Sequence, residues 1–254
     1  MANLNGKNVI ITGAAGGLGG EIARAAAAAG AAVAIFDVKG VDEAVAQLKQ
    51  AGVKAVGVTV DVRDGKAVVA ATDEVAQALG GVDILIAAAG GSLGTPRDLD
   101  DISEEDLDFV LDVNIKGTFN CARAAISHMK QSGGGSIVTF SSIGGRSASP
   151  VTGVPYAAAK AGLLGLTRRL AREVGNANIR VNAIAPGLFL TDRLQGMFDA
   201  LPEAERKEVL DSIPLGRMPQ LRECVEPVLF LASDESSYIT GVVLDVNGGR
   251  FMAG

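Results

Sequence analysis

Seven short apolar runs, each rich in β-branched residues, recur along the chain: NVIIT (8–12), AVAIFD (32–37), AVGVTV (55–60), DILIAA (83–88), SIVTFS (136–141), IRVNAIA (179–185) and VVLDV (242–246). They are continuous rather than alternating, which is the pattern of strands covered on both faces. Segments with helical character separate them, at 18–29, 41–50, 64–79, 103–130, 155–175 and 222–233. Strand and helix in strict alternation predict a parallel sheet with helices on both sides and right-handed crossovers. The interior must be filled by Ala, Val, Ile and Leu, because the sequence has no Trp and only 4% aromatic residues. Small aliphatic side chains suit close packing of helix on sheet.

The first strand runs straight into TGAAGGLG (12–19), and a helical segment follows at once. Strand, glycine turn and helix together bring backbone N–H groups and a helix N-terminus to one point. That is an anion site of the size of a pyrophosphate. Gly13 permits the turn, while Gly17 and Gly19 permit close approach of ligand and helix. The second strand ends on Asp37, 24 residues after Gly13, where a carboxylate is expected to bond the adenosine ribose. The same carboxylate repels a 2′-phosphate. Gly16 offers no charge to neutralise one, and Lys39 is the only weak candidate. NAD is therefore expected over NADP.

A second constellation is YAAAK, which places Tyr156 and Lys160 on one helix face. An ammonium about 4 Å from a phenol, at an effective dielectric near 20, interacts by about 4 kcal/mol. That corresponds to about three pKa units and predicts a phenol drawn from near 10 toward 7. Such a group can exchange a proton with a hydroxyl or carbonyl.

Taken together and in order, TGAAGGLG, YAAAK and PGLFLT resemble the short-chain dehydrogenase/reductase family, of the type with a TGxxxGxG loop and a YxxxK pair. The resemblance spans essentially the whole chain. It implies a doubly wound Rossmann fold: a three-layer α/β/α sandwich with a seven-stranded parallel sheet. It implies hydride transfer at nicotinamide between a secondary alcohol and a ketone. By the same resemblance Tyr156 is the general acid/base, and Lys160 lowers its pKa and bonds the nicotinamide ribose. Ser142 holds the substrate oxygen, and Asn114 anchors a proton-relay water. Ser141 is the alternative if the register is shifted. The implied cofactor contacts are Gly13, Gly16, Gly17, Leu18, Gly19, Asp37, Asp61, Val62, Ala88, Gly90, Tyr156, Lys160, Pro186, Gly187 and Thr191. Asp61 and Val62 match the pair at the adenine ring. Ser92, Ile143, Val151 and Leu188 are expected to line the substrate pocket, whose apolar character favours a hydrophobic or acyl-type alcohol over a free sugar.

Two features depart from the family pattern. The fourth-strand motif, usually NNAG or NAG, reads AAAG (87–90), and Ser142 lies 14 residues before Tyr156, one more than usual. The rival readings are an NADPH-dependent 3-oxoacyl reductase, which Asp37 opposes, and a cofactor-binding subunit without turnover, which four occupied catalytic positions oppose.

No linker composition divides residues 1–254, so one domain is expected, with 188–215 as a substrate lid after the sixth strand. A net charge of −6 disfavours nucleic acid. No apolar run reaches the ~18 residues of a membrane span, and no signal sequence is visible, so a cytoplasmic location is expected. Cys121 and Cys224 read as buried thiols, and the single His128 gives no support to a metal site. A homotetramer is the association usual in the family.

Overall fold

The computed structural model describes residues 2–148, 152–190 and 192–253. Seven strands form one sheet: β1 (Asn8–Thr12), β2 (Ala32–Asp37), β3 (Ala55–Thr59), β4 (Ile84–Ala87), β5 (Gly135–Phe140), β6 (Ile179–Pro186) and β7 (Val243–Val246). All neighbouring pairs are parallel, in the order β3-β2-β1-β4-β5-β6-β7. The helices are α1 (Gly17–Ala28), α2 (Val41–Gln50), α3 (Gly65–Leu79), α4 (Glu104–Leu111), α5 (Gly117–Gln131), α6 (Val154–Val174), α7 (Asp192–Asp199), α8 (Glu203–Asp211) and α9 (Arg222–Ala232).

The period of two along each strand explains the continuous apolar runs. Val9, Ile11, Val33, Ile35, Ile84 and Ile86 pack into one core with Ile22 and Ala26 of α1 and Val228 of α9. Ile10, Ala34, Phe36, Leu85 and Ala87 pack into a second core with Val75 of α3 and Ala125 and Met129 of α5. Both faces of the central strands are thus dry.

The strand order reverses between β1 and β4, the crevice where doubly wound sheets bind ligands. Both the glycine turn after β1 and the AAAG turn after β4 open there. They are tied together: Thr12 Oγ1 accepts from the Ala89 N–H at 2.9 Å. Ala87 is buried and apolar, so the amide the family usually carries leaves no orphaned polar group behind.

One expectation needs correction. The helix over 103–130 is not uniform, because Asp112–Lys116 winds as a π turn between α4 and α5. Helical periodicity in sequence carries no signal for one inserted residue. The start of this segment follows the sequence: Ser103 and Asp106 form a reciprocal capping box.

Candidate active site

The glycine loop is shaped by steric exclusion. Gly13 has φ +67°, and a Cβ there would lie 2.8 Å from the Ala89 Cα. A Cβ on Gly19 would lie 2.2 Å from the Gly13 carbonyl oxygen, so the helix could not start where it does. Gly16 is different: a Cβ there meets nothing within 4 Å, which leaves open space in front of the loop. Leu18 packs against the core below. Asp37 closes the loop from the neighbouring strand, with Oδ2 accepting from Ala15 N–H at 3.0 Å and Oδ1 from Val38 N–H at 2.8 Å. The residues present therefore fit a dinucleotide: an open backbone cradle at a helix N-terminus, with a carboxylate at the next strand end.

Asp61 and Val62 follow β3, beside Asp37, whose backbone oxygen accepts from Val60 N–H at 2.9 Å. Val62 is buried against Gly117, where a Cβ would lie 2.5 Å from its Cγ2. Ala88 and Gly90 form the turn after β4. Pro186 ends β6, and Gly187 donates to the Val246 oxygen at 2.8 Å. Ser92 and Leu188 are half-buried near these strand ends, and Leu93 holds a left-handed φ of +58°. Thr191 and Val151 lie outside the described residues.

The catalytic candidates converge from three elements. Ser142 follows β5, and its hydroxyl lies near enough to the Tyr156 phenol to hold that phenol back from a still higher pKa. Ser142 Oγ accepts from the Gly144 N–H at 3.1 Å, which leaves Ile143 beside it on the same turn. Ser141 points the other way and donates to the Lys160 carbonyl at 2.7 Å. The extra residue between Ser142 and Tyr156 is therefore absorbed without disturbing this pairing. Lys160 sits one helical turn beyond Tyr156, its Nζ 5.5 Å from the ring centroid and donating to the Phe140 oxygen at 2.7 Å.

Asn114 belongs to the π turn and is fully buried. Its Oδ1 accepts from Gly91 N–H at 3.0 Å, and its Nδ2 donates to the Gly91 and Val110 oxygens at 3.0 and 2.9 Å. The π turn rotates this side chain toward the crevice. A Cβ on Gly90 would lie 2.4 Å from Asn114 Oδ1 and 3.4 Å from Lys160 Nζ, so these three groups meet at one point. The Asn114 amide is thus spent on backbone partners, and its main-chain oxygen accepts from Thr118 Oγ1 at 2.7 Å.

Electrostatics differ from the sequence expectation. Burial lowers the Lys160 ammonium to about 7 and raises the Tyr156 phenol, the latter partly offset by Ser142. The expected fall of the phenol toward 7 took a fully charged lysine and left out the desolvation of both groups. Desolvation outweighs that attraction here.

Other residues are accounted for structurally. Arg146 pairs with Asp245 at 3.0 Å and stacks over Phe251, so it is not free for an anionic substrate. His128 joins Asp73 at 2.8 Å between α5 and α3. Both cysteines are buried, and burial pushes their thiols up to about 12. Among the described residues, no cluster of His, Cys, Asp or Glu suits a metal ion, and no helix is long and apolar enough to cross a membrane.

Comparison with known proteins agrees with this geometry. The profile of a family described as enoyl-(acyl carrier protein) reductase matches residues 13–250. A short-chain type dehydrogenase/reductase of Sinorhizobium fredii is 41% identical over 257 residues, covering 98% of this chain and 99% of the relative. A 3-oxoacyl-[acyl-carrier-protein] reductase of Thermotoga maritima is 39% identical over 250 residues, covering 97% and 98%. Among solved structures, NAD⁺-bound xylitol dehydrogenase superposes with a TM-score of 0.91 at 30% identity, covering 97% of this chain and 99% of that one. The chain belongs to the short-chain dehydrogenase/reductase family, oxidoreductases that work with a nicotinamide dinucleotide.

Proposed function

We propose that the protein is an NAD-dependent dehydrogenase that interconverts a secondary alcohol and a ketone. The carrying observation is Tyr156 with Lys160 Nζ 5.5 Å from its ring, beside the turn that holds Ser142, at the crevice whose far end is guarded by Asp37. When bound, the nicotinamide ring supplies the hydride acceptor. Tyr156 Oη removes the proton of the substrate hydroxyl, or returns one to the carbonyl. Ser142 Oγ orients and polarises that oxygen. Lys160 Nζ and a water anchored at Asn114 carry the proton onward to solvent. Ser92, Ile143 and Leu188, with Val151, line a mostly apolar pocket that suits a hydrophobic or acyl-type alcohol. Residues 188–215, which include α7 and α8, act as a lid over this end of one domain spanning the chain, working as a homotetramer in the cytoplasm.

A second reading is an NADPH-dependent 3-oxoacyl reductase, favoured by the Thermotoga relative. Asp37 separates the two. Its carboxylate, fixed by two backbone N–H groups, stands where a 2′-phosphate would bring like charge. Titration of protein fluorescence is expected to show NADH bound tighter than NADPH by about 10²-fold, and Asp37→Ser to narrow the gap to about tenfold or less. Tighter binding of NADPH to the unaltered protein would give the site to the second reading.

A further inference from the structure

Arg63 is held along one edge and one face of its guanidinium. Its Nε donates to Asp61 Oδ1 and Oδ2 at 3.1 and 2.9 Å, and its Nη2 donates to Oδ2 at 2.6 Å. Its own backbone N–H adds a bond to Oδ1 at 2.9 Å. The plane of the guanidinium stacks on the Phe109 ring of α4, 5.0 Å from the centroid. The loop that carries the pair is itself pinned: Asn120 Nδ2 of α5 donates to the Val62 oxygen at 2.9 Å, and Gly117 presses on Val62.

An exposed ion pair of this kind contributes little to stability. A forked pair with one face stacked does something else: it removes the rotational freedom of the carboxylate. A carboxylate offers about four lone-pair sites, and Arg63 occupies most of them from one side. What remains is a fixed acceptor beside Asp37, at the carboxyl end of the sheet.

We propose that Arg63 is a positioning residue for the adenine end of the cofactor: seated on Phe109, it fixes the Asp61 carboxylate as acceptor for the exocyclic amine of the base, so that the site selects adenine over a base carrying oxygen there. This rests on the reading above that a dinucleotide lies with its base at Asp61 and Val62. A base with a carbonyl oxygen at that position would face the carboxylate with no proton between them.

The test is a fluorescence titration with NADH and with its hypoxanthine analogue, in which the amine is replaced by oxygen. The unaltered protein is expected to favour NADH by about tenfold. Arg63→Met is expected to bring the two affinities within about twofold of each other at an unchanged Tm, with Arg63→Lys in between because it keeps charge but loses the fork. Phe109→Ala is expected to act in the same direction, more weakly. A ratio untouched by Arg63→Met, even if both affinities fall together, overturns the assignment. So does an unaltered protein that binds NADH well yet does not discriminate, an outcome that leaves the proposed cofactor intact. If only NADPH binds, the NAD reading fails and the same ratio is read with NADPH and its hypoxanthine analogue. Binding of neither dinucleotide overturns both.

Discussion

Tyr156→Phe is expected to lower turnover by about 10²–10⁴-fold, the range for removal of a positioned acid/base, while NADH affinity stays within about twofold. The phenol is half-buried, with Ser142 near enough to lower its pKa. Phenylalanine keeps the ring volume and the packing of α6, and the Ser142 hydroxyl keeps its bond to the Gly144 N–H. The loss is therefore confined to proton transfer. Burial raises the phenol, so at neutral pH it carries its proton. Alcohol oxidation, which needs the deprotonated form, is expected to accelerate as pH rises, and ketone reduction to be favoured toward neutral pH. Steady-state rates in both directions, with NADH titration alongside, check this. Near-normal turnover in the variant removes Tyr156 from the mechanism.

Lys160→Met is expected to abolish most turnover and yet stabilise the fold. Lys160 is only 5% exposed, and burial lowers its ammonium to about 7 from an ordinary 10.5. The unfolded chain therefore binds the proton more readily than the native state. The resulting penalty is complete below pH 7 and fades as pH climbs toward 10.5. Methionine fills similar volume without a charge, at the loss of one bond to the Phe140 carbonyl. The net gain near neutral pH is about 2 kcal/mol, which for a chain of this size raises Tm by about 4–8 °C. Below pH 7 the gain is largest; it shrinks through the alkaline range up to about pH 10, above which the raised Tyr156 adds its own opposing dependence. Thermal melts of both proteins across that range check the sign. A variant that melts lower at every pH shows that the lysine is held at no electrostatic cost, against its burial.

This pairing of instability with function shows what the sequence could and could not reveal. The strands were legible because double-sided burial writes continuous apolar runs, and β1 and β2 fall where NVIIT and AVAIFD place them. The cofactor end was legible because backbone approach leaves glycine no substitute: any Cβ on Gly19 would come within 2.2 Å of the Gly13 oxygen. Tyr156 and Lys160 were legible through spacing. Their proton affinities were not, because desolvation depends on the helix and sheet that close around Lys160 rather than on its neighbours in sequence. The π turn at Asn114 was hidden for a related reason: an added residue leaves apolar periodicity nearly unchanged over a single turn. Arg63 carries no distinguishing signal in the sequence. Its fork onto Asp61 needs the turn after β3, and its stack needs Phe109, 46 residues further on.

The most direct measurement is NADH formation from NAD⁺ over a panel of secondary alcohols: 3-hydroxyacyl thioesters, aryl and cyclic alcohols, and polyols, with Tyr156→Phe run beside the unaltered protein. Turnover is expected to concentrate in an apolar or acyl-type class and to be lost in the variant. NADH bound normally with no alcohol oxidised, or oxidation that survives Tyr156→Phe, would contradict the assignment of Tyr156 as the acid/base of an NAD-dependent alcohol dehydrogenase.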